Sequence, residues 1–240
     1  MSEMQTVNER EFKCLCIIPA RGGSKGVLNK NIIDINGQPL ISYAIRSAYS
    51  SNLFERVIVS TDSFEISKVA KKYKAELPFV RPTDLATDDA KVDDVIVHAL
   101  KHVEKYDKKY DYVCLLQPTS PLLDVDDIQK AVCLLLEKNA DMVISVGKSP
   151  IKTCWARELP KDLSMKAFAD GVYGTNKQCF EDTYFLNGAF YIGKWDIFYN
   201  KKNYYEQDTY AYKMSYEKSI DIDTYDDIKL VKYFLKKAGK

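Results

Sequence analysis

The run CLCIIPARGGSKGVLNKN, residues 14–31, passes from an unbroken apolar stretch into a loop that holds Gly22, Gly23 and Gly26 beside Arg21, Lys25 and Lys30. Glycines let the backbone turn freely and approach a ligand closely. Successive N–H groups in such a loop form an anion nest. Arg21 can fork onto two phosphate oxygens, while Lys25 and Lys30 add mobile point charges. The chemistry expected is polyphosphate binding, with a triphosphate as the natural guest. The loop reads GGSKG, so it is neither the dinucleotide fingerprint GxGxxG nor the P-loop GxxxxGK[ST]. The competing reading is a solvated turn whose charges serve solubility alone. Three cations and three glycines behind a buried strand weaken that reading.

A second constellation stands near the far end, in Ser219–Ile220–Asp221–Ile222–Asp223. Residues two apart on a strand share a face. Asp221 and Asp223 are therefore expected to share one hard cation. Mg²⁺ takes one or two carboxylates, with waters and substrate phosphates completing its shell. The alternative is that both aspartates cap the following helix, a task for which Asp226 and Asp227 are better placed. Together the two features point to Mg²⁺-assisted attack on a nucleoside triphosphate. The cations would stabilise the leaving pyrophosphate, and the metal would clamp the phosphates and lower the pKa of an attacking hydroxyl.

These residues need a frame. Short apolar runs (residues 14–18, 57–60, 112–116 and 142–146) alternate with helical spacings over 40–49, 64–74, 92–103 and 126–136. Such alternation implies an α/β fold, a doubly wound, mostly parallel sheet with helices on both faces. Continuous rather than alternating apolar runs fit strands buried on both sides. The pattern changes after Gly147. Residues 148–185 read as an inserted arm, and 1–147 with 186–240 as the nucleotide-binding α/β domain. A return strand is expected over 189–193, and a short strand then a helix after Ser219.

With 240 residues the chain can bury a large core, and a net charge of +1 gives no global field for nucleic acid. Six cysteines form no CxxC, and Cys14, Cys16, Cys114 and Cys133 lie in apolar segments, so reduced core thiols are expected. No apolar run is long enough to span a bilayer, and the polar start is unlike a signal peptide. A soluble, cytoplasmic protein without nucleic-acid or membrane partners is expected. His98 and His102 have zinc-pair spacing but lack an HExxH glutamate, and read as surface residues. The tyrosines between Tyr199 and Tyr216 lack the basic interleaving of a stacking platform and read as packing.

IIPARGGSKGVLNKN, VIVSTD, RPTDLATDDA, LLQPTSPLL, NGAFYI and SIDIDT occur in that order. The ordered set resembles the acylneuraminate cytidylyltransferases, or CMP-sialic acid synthetases, over most of the chain. The resemblance implies transfer of CMP from CTP to a nine-carbon 2-keto sugar acid, by attack of the anomeric hydroxyl on the α-phosphate. It implies that Arg21, Gly22, Gly23, Ser24, Lys25 and Lys30 hold the triphosphate, with Asn31 close by. Arg81 matches a position near the cytosine, and Asp88 falls in the same segment. Gln117, Lys152, Lys177, Gln178 and Asn187 match positions that face the sugar acid. Asp221 and Asp223 match the metal pair, and Arg21, Lys25, Lys30 and Asp223 would carry catalysis. A homodimer is implied, the 148–185 arm completing the partner's sugar pocket. The arm departs from the family pattern: Lys177 and Phe185 stand where relatives carry arginines. An ammonium cannot copy a bidentate guanidinium clamp, so a retuned pocket is expected, for legionaminic acid or another modified nonulosonate. An eight-carbon acid such as Kdo, and a nucleotide-binding relative without catalysis, are the alternatives.

Overall fold

The computed structural model describes residues 12–152, 155–168 and 181–239. Expectations placed on Cys154, Lys177, Gln178 and Cys179 fall outside them. The first strand, β1 (Cys14–Pro19), is followed by a small hairpin, β2 (Asp34–Ile35) and β3 (Gln38–Pro39), and by helix α1 (Ile41–Ser50). Next come β4 (Arg56–Ser60), α2 (Phe64–Lys72), α3 (Val92–Tyr106), β5 (Tyr112–Leu116), α4 (Val125–Glu137) and β6 (Met142–Lys148). After the inserted segment follow β7 (Tyr184–Lys194), α5 (Trp195–Tyr199), β8 (Thr209–Met214) and α6 (Tyr225–Lys237).

Six strands form one sheet in the order β4-β1-β5-β7-β6-β8. All pairings are parallel except those of β7, which runs antiparallel between β5 and β6. The pleat explains why β1 is apolar throughout. Cys14, Cys16 and Ile18 pack with α1, α2 and α4 residues such as Ile45, Ile66 and Ile128, whereas Leu15 and Ile17 pack with Ile96 and Leu100 of α3 and Phe198 of α5. Both faces are covered, as a parallel sheet requires. Cys14, Cys16 and Cys114 are free and fully buried, and burial pushes the Cys14 and Cys114 thiols up.

The helices start where capping chemistry allows. Ser63 Oγ accepts from Ile66 N at the head of α2, and reciprocal boxes, Asp124 with Asp127 and Thr224 with Asp227, open α4 and α6. Asp226 and Asp221 take no part in these caps, while Asp223 contributes only its backbone N–H, to Asp227. A third apolar cluster sits at one end of the sheet. It joins Val27, past the glycine loop, to Leu40 and Tyr43, to Ile220 and Ile222, and to Ile228 and Val231 of α6. This cluster ties the two candidate segments to one rigid body.

Several expectations need correction. The return strand is longer than 189–193 and is the antiparallel member. Residues 220–223 are not a strand: the stretch follows a 3₁₀ turn, and Ile222 N donates to the Thr119 carbonyl rather than to a neighbouring strand. The in–out alternation survives, with Ile220 and Ile222 buried and Asp221 and Asp223 outward. The tyrosine-rich tail contains an edge strand, β8. His98 and His102 are half-buried and pack on Phe79. Lys148 pairs with Tyr184 across β6 and β7, so the chain between leaves and re-enters the sheet at one place. Among the described residues no helix is long and apolar enough to cross a membrane.

Candidate functional site

A cavity of about 590 Å³ opens beyond the carboxyl ends of β1 and β5, where open α/β sheets bind ligands. Its walls include Arg21, Ser24, Lys25, Gly26, Lys30, Asn31, Arg81, Asp88, Gln117, Asp221 and Asp223. Residues as far apart as 21 and 223 thus meet in one cleft.

The loop is held from within the fold. Asn31 is buried, and its Nδ2 donates to the Arg21 carbonyl at 2.9 Å. Gly22 N donates to Asp62 Oδ1 at 2.9 Å. Gly22 and Gly23 therefore shape the loop without lining the cavity. Gly26 packs against the carboxylate segment: a Cβ there would lie 2.5 Å from the Asp223 carbonyl oxygen. Lys30 joins the same two segments, donating to the Ile222 carbonyl at 2.8 Å and to Asp223 Oδ1 at 2.9 Å. Burying an isoleucine side chain contributes about 2 kcal/mol, more than the 1 kcal/mol or less of an exposed ion pair. The fully buried Ile222 is thus the anchor of the segment, and the ion pair sets its fine position.

Charge in the cleft is nearly balanced. Asp88 bridges two of the loop's cations, at 2.5 Å from Arg21 Nη2 and in contact with Lys25 Nζ. Lys25 and Arg21 hold its carboxyl below the usual range. Arg81 is buried, with Nε on Ser60 Oγ at 3.1 Å and Nη2 on the Ser60 carbonyl at 2.5 Å. Burial lowers its guanidinium to about 10, with Arg21 adding to the effect and Asp62 opposing it. The Asp221 residue touches solvent, but burial of its carboxyl in the cleft raises it above the carboxylate norm; the Thr119 hydrogen bond opposes the shift and Asp223 adds to it. Both carboxylates line the one cleft, and a pair of hard oxygen donors suits a divalent cation. Asp221 and Asp223 are thus the residues that would hold Mg²⁺. No group of three or more metal-binding side chains occurs among the described residues, so water and phosphate oxygens would complete such a shell.

Not every expected residue reaches the cleft. Lys152 Nζ is taken by the Glu181 carbonyl at 2.8 Å and by Asp182 Oδ1 at 3.3 Å. Phe185, near the start of β7, lies opposite Gly147 and does not line the cavity. Asn187, expected to face the sugar acid, is instead buried, its amide bonded to Ser145 and Ser219. Sequence reasoning assigned no role to Asp62, Thr119, Gly188 or Tyr191. Asp62 and Tyr191 belong to the quoted VIVSTD and NGAFYI stretches, which was the available signal. Their roles depend on contacts between distant segments.

A family model described as Cytidylyltransferase matches residues 15–238. The chain is 34% identical over 225 residues to a pseudaminic acid cytidylyltransferase of Campylobacter jejuni, covering 94% of this chain and 97% of that protein. It is 35% identical over 217 residues to a CMP-N,N'-diacetyllegionaminic acid synthase of Legionella pneumophila, covering 89% and 92%. It is 38% identical over 220 residues to an N-acylneuraminate cytidylyltransferase of Escherichia coli, covering 91% of this chain and 51% of that longer protein. Among solved structures, a CMP:2-keto-3-deoxy-manno-octonic acid synthetase complexed with CTP superposes with a TM-score of 0.70 at 14% identity, covering 94% of this chain and 99% of that one. That likeness speaks for the fold.

Proposed function

Since the chain belongs to the cytidylyltransferase family, we propose that it joins CTP to a nine-carbon 2-keto sugar acid, giving the CMP-sugar and pyrophosphate. The observation that carries the reading is the meeting of a cationic glycine loop and a carboxylate pair in one cleft, bridged by Lys30. The relatives named for pseudaminic, legionaminic and N-acylneuraminic acids support the substrate class.

In this reading Arg21, Ser24 and Lys25 receive the β- and γ-phosphates, and Arg81 and Asn31 lie toward the nucleoside. Cations fixed around the leaving group stabilise its developing charge without reorganising during the reaction. Asp221 and Asp223 hold Mg²⁺, which when bound supplies charge stabilisation and a more acidic attacking hydroxyl. Lys30 keeps Asp223 aimed into the cleft. Gln117 lies on the sugar side. The reaction takes place in the cytoplasm and in a homodimer, whose arms complete the sugar pockets. The departures at Lys177 and Phe185 favour a modified nonulosonic acid over N-acetylneuraminic acid if the arm acts in the partner's pocket, since Phe185 does not line this chain's own cavity.

Pyrophosphate release from CTP and Mg²⁺ with N-acetylneuraminic, legionaminic, pseudaminic and Kdo acids in parallel tests the proposal. Release with a nine-carbon acid is expected, with legionaminic or pseudaminic acid above N-acetylneuraminic acid. Preference for N-acetylneuraminic acid would remove the retuned pocket. Release with Kdo alone would overturn the substrate class, and CTP binding without release would overturn catalysis.

A further inference from the structure

The strand pairing of β7 contains an irregularity beside the cleft. Ile144 pairs with Tyr191 and Val146 with Leu186. Ser145 therefore stands alone on β6 opposite residues 187–190 of β7. Such bulges re-aim a strand next to functional sites. Gly188, at φ +69°, lines the cleft from this bulge. Asn187 turns the other way, inward, and is 4% exposed.

The side chain of Asn187 is fully used. Its Oδ1 accepts from Ser145 Oγ at 2.7 Å and from Ala189 N at 3.2 Å. Its Nδ2 donates to Ser219 Oγ at 2.9 Å and lies 3.3 Å from Met214 Sδ. Ala189 N can only donate, so it fixes the amide oxygen of Asn187 on the Ser145 side. Ser145 Oγ accepts from Phe190 N at 3.0 Å and has its one proton for Asn187 Oδ1 at 2.7 Å and the Phe190 carbonyl at 3.0 Å. Ser219 Oγ gives its proton to the Ser215 carbonyl at 2.7 Å, so it must accept from Asn187. A buried chain with every donor and acceptor satisfied has one low-energy arrangement.

Ser219 lies two residues before Asp221. It has no slack on its other side, since a Cβ at Gly147 would lie 2.6 Å from Ser219 Cβ and Oγ. Downstream, the segment is pinned by Ile222 N on the Thr119 carbonyl at 3.0 Å and by Lys30 on the Ile222 carbonyl. Asp221 is thus suspended between two fixed points, and the upstream point is the Asn187–Ser219 bond.

Resting on the cytidylyltransferase reading above, we propose that Asn187 is a positioning residue. Through Ser219 it sets the distance of Asp221 and Asp223 from the phosphate loop, and through the bulge it sets the wall at Gly188. It acts on the metal-dependent part of the reaction and not by touching substrate.

The test compares Ser219→Ala, which cuts the link to the carboxylate segment, with Ser145→Ala, which cuts the link to β6 and leaves that segment tied. Melting curves establish that both are folded. Calorimetry with CTP alone and with CTP plus Mg²⁺ gives the affinity gained from metal. Ser219→Ala is expected to bind CTP alone within twofold of the unaltered chain, to lose most of the metal-dependent gain, and to need at least tenfold more Mg²⁺ for half-maximal turnover. Ser145→Ala is expected to keep the metal-dependent gain within twofold. Asn187→Leu, which keeps the volume and removes the donor to Ser219, should reproduce Ser219→Ala if that variant folds poorly. Equal loss of the metal-dependent gain in both serine variants, or its retention in Ser219→Ala, would overturn the proposal. Absence of CTP binding by the unaltered chain would instead overturn the reading beneath it.

Discussion

Asp88 is the residue whose placement most changes the picture of the phosphate loop. Polyphosphate chemistry calls for free cations, yet Asp88 occupies both Arg21 and Lys25. These contacts are open to solvent, which screens them, and such pairs are weak. In the reading proposed above, a triphosphate carries more charge than one carboxylate and would displace it. Binding would then be an exchange, in which Asp88 holds the cations in place and competes for them. Removing the competitor favours the nucleotide. Asp88→Asn is expected to tighten CTP binding severalfold at low salt, with the gain shrinking as added salt screens the cleft. Titration calorimetry without sugar acid measures this. Weaker binding in the variant would mean that Asp88 contacts the nucleotide directly.

At the scale of elements, edge strand β4 shows how charge supplements packing. Arg56 donates to Glu76 Oε2 at 2.6 Å and to Asp107 Oδ2 at 2.7 Å, joining β4 to the strand-like bridge at Glu76 and to the end of α3. The Arg56 bond holds the Asp107 carboxyl below its ordinary value. A depressed folded value means that this contribution is complete above the unfolded value of about 4 and is lost as pH falls through the lower folded one. Arg56→Gln is expected to lower the melting temperature by about 2–4 °C near neutrality. The gap should close below about pH 4. A gap that stayed constant to pH 3 would assign the effect to packing of the Arg56 stem. The same scale shows what could be read in advance. Continuous apolar runs announced β1, β4, β5 and β6, because strands covered on both faces need them. β8 was hidden, since an edge strand reading TYAYKM exposes half of its residues, buries only Met214 and shows little contrast. The carboxylate segment looked like a strand because Ile220 and Ile222 alternate with aspartates, and its lack of a ladder depends on Thr119, about a hundred residues away. The loop and the aspartate pair were legible as chemistry. Asp62, Tyr191 and the inward turn of Asn187 were not, because only tertiary contacts define them.

Across the whole molecule, apolar surface is distributed unevenly. Ile151, Leu159, Leu163 and Met165 are more than half exposed on the segment between β6 and β7, and Leu186 joins them at the start of β7. Leu28, Phe64 and Val80 are also exposed, in separate parts of the chain, whereas this segment gathers several apolar side chains in one stretch that a second copy could bury. A stable dimer needs about 1,200 Å² or more of total buried area. The homodimer proposed above predicts sedimentation at twice the chain mass at micromolar concentration. Leu159→Asp with Met165→Asp is expected to give single chains, because two buried carboxylates would face an apolar partner without compensation. Neither position lines the cleft, so CTP binding is expected to persist in the separated chains. Turnover with the sugar acid should fall at least tenfold if each arm completes its partner's pocket. Full turnover by single chains would leave the dimer without a catalytic role, and an unaltered chain that sediments singly would remove the dimer itself.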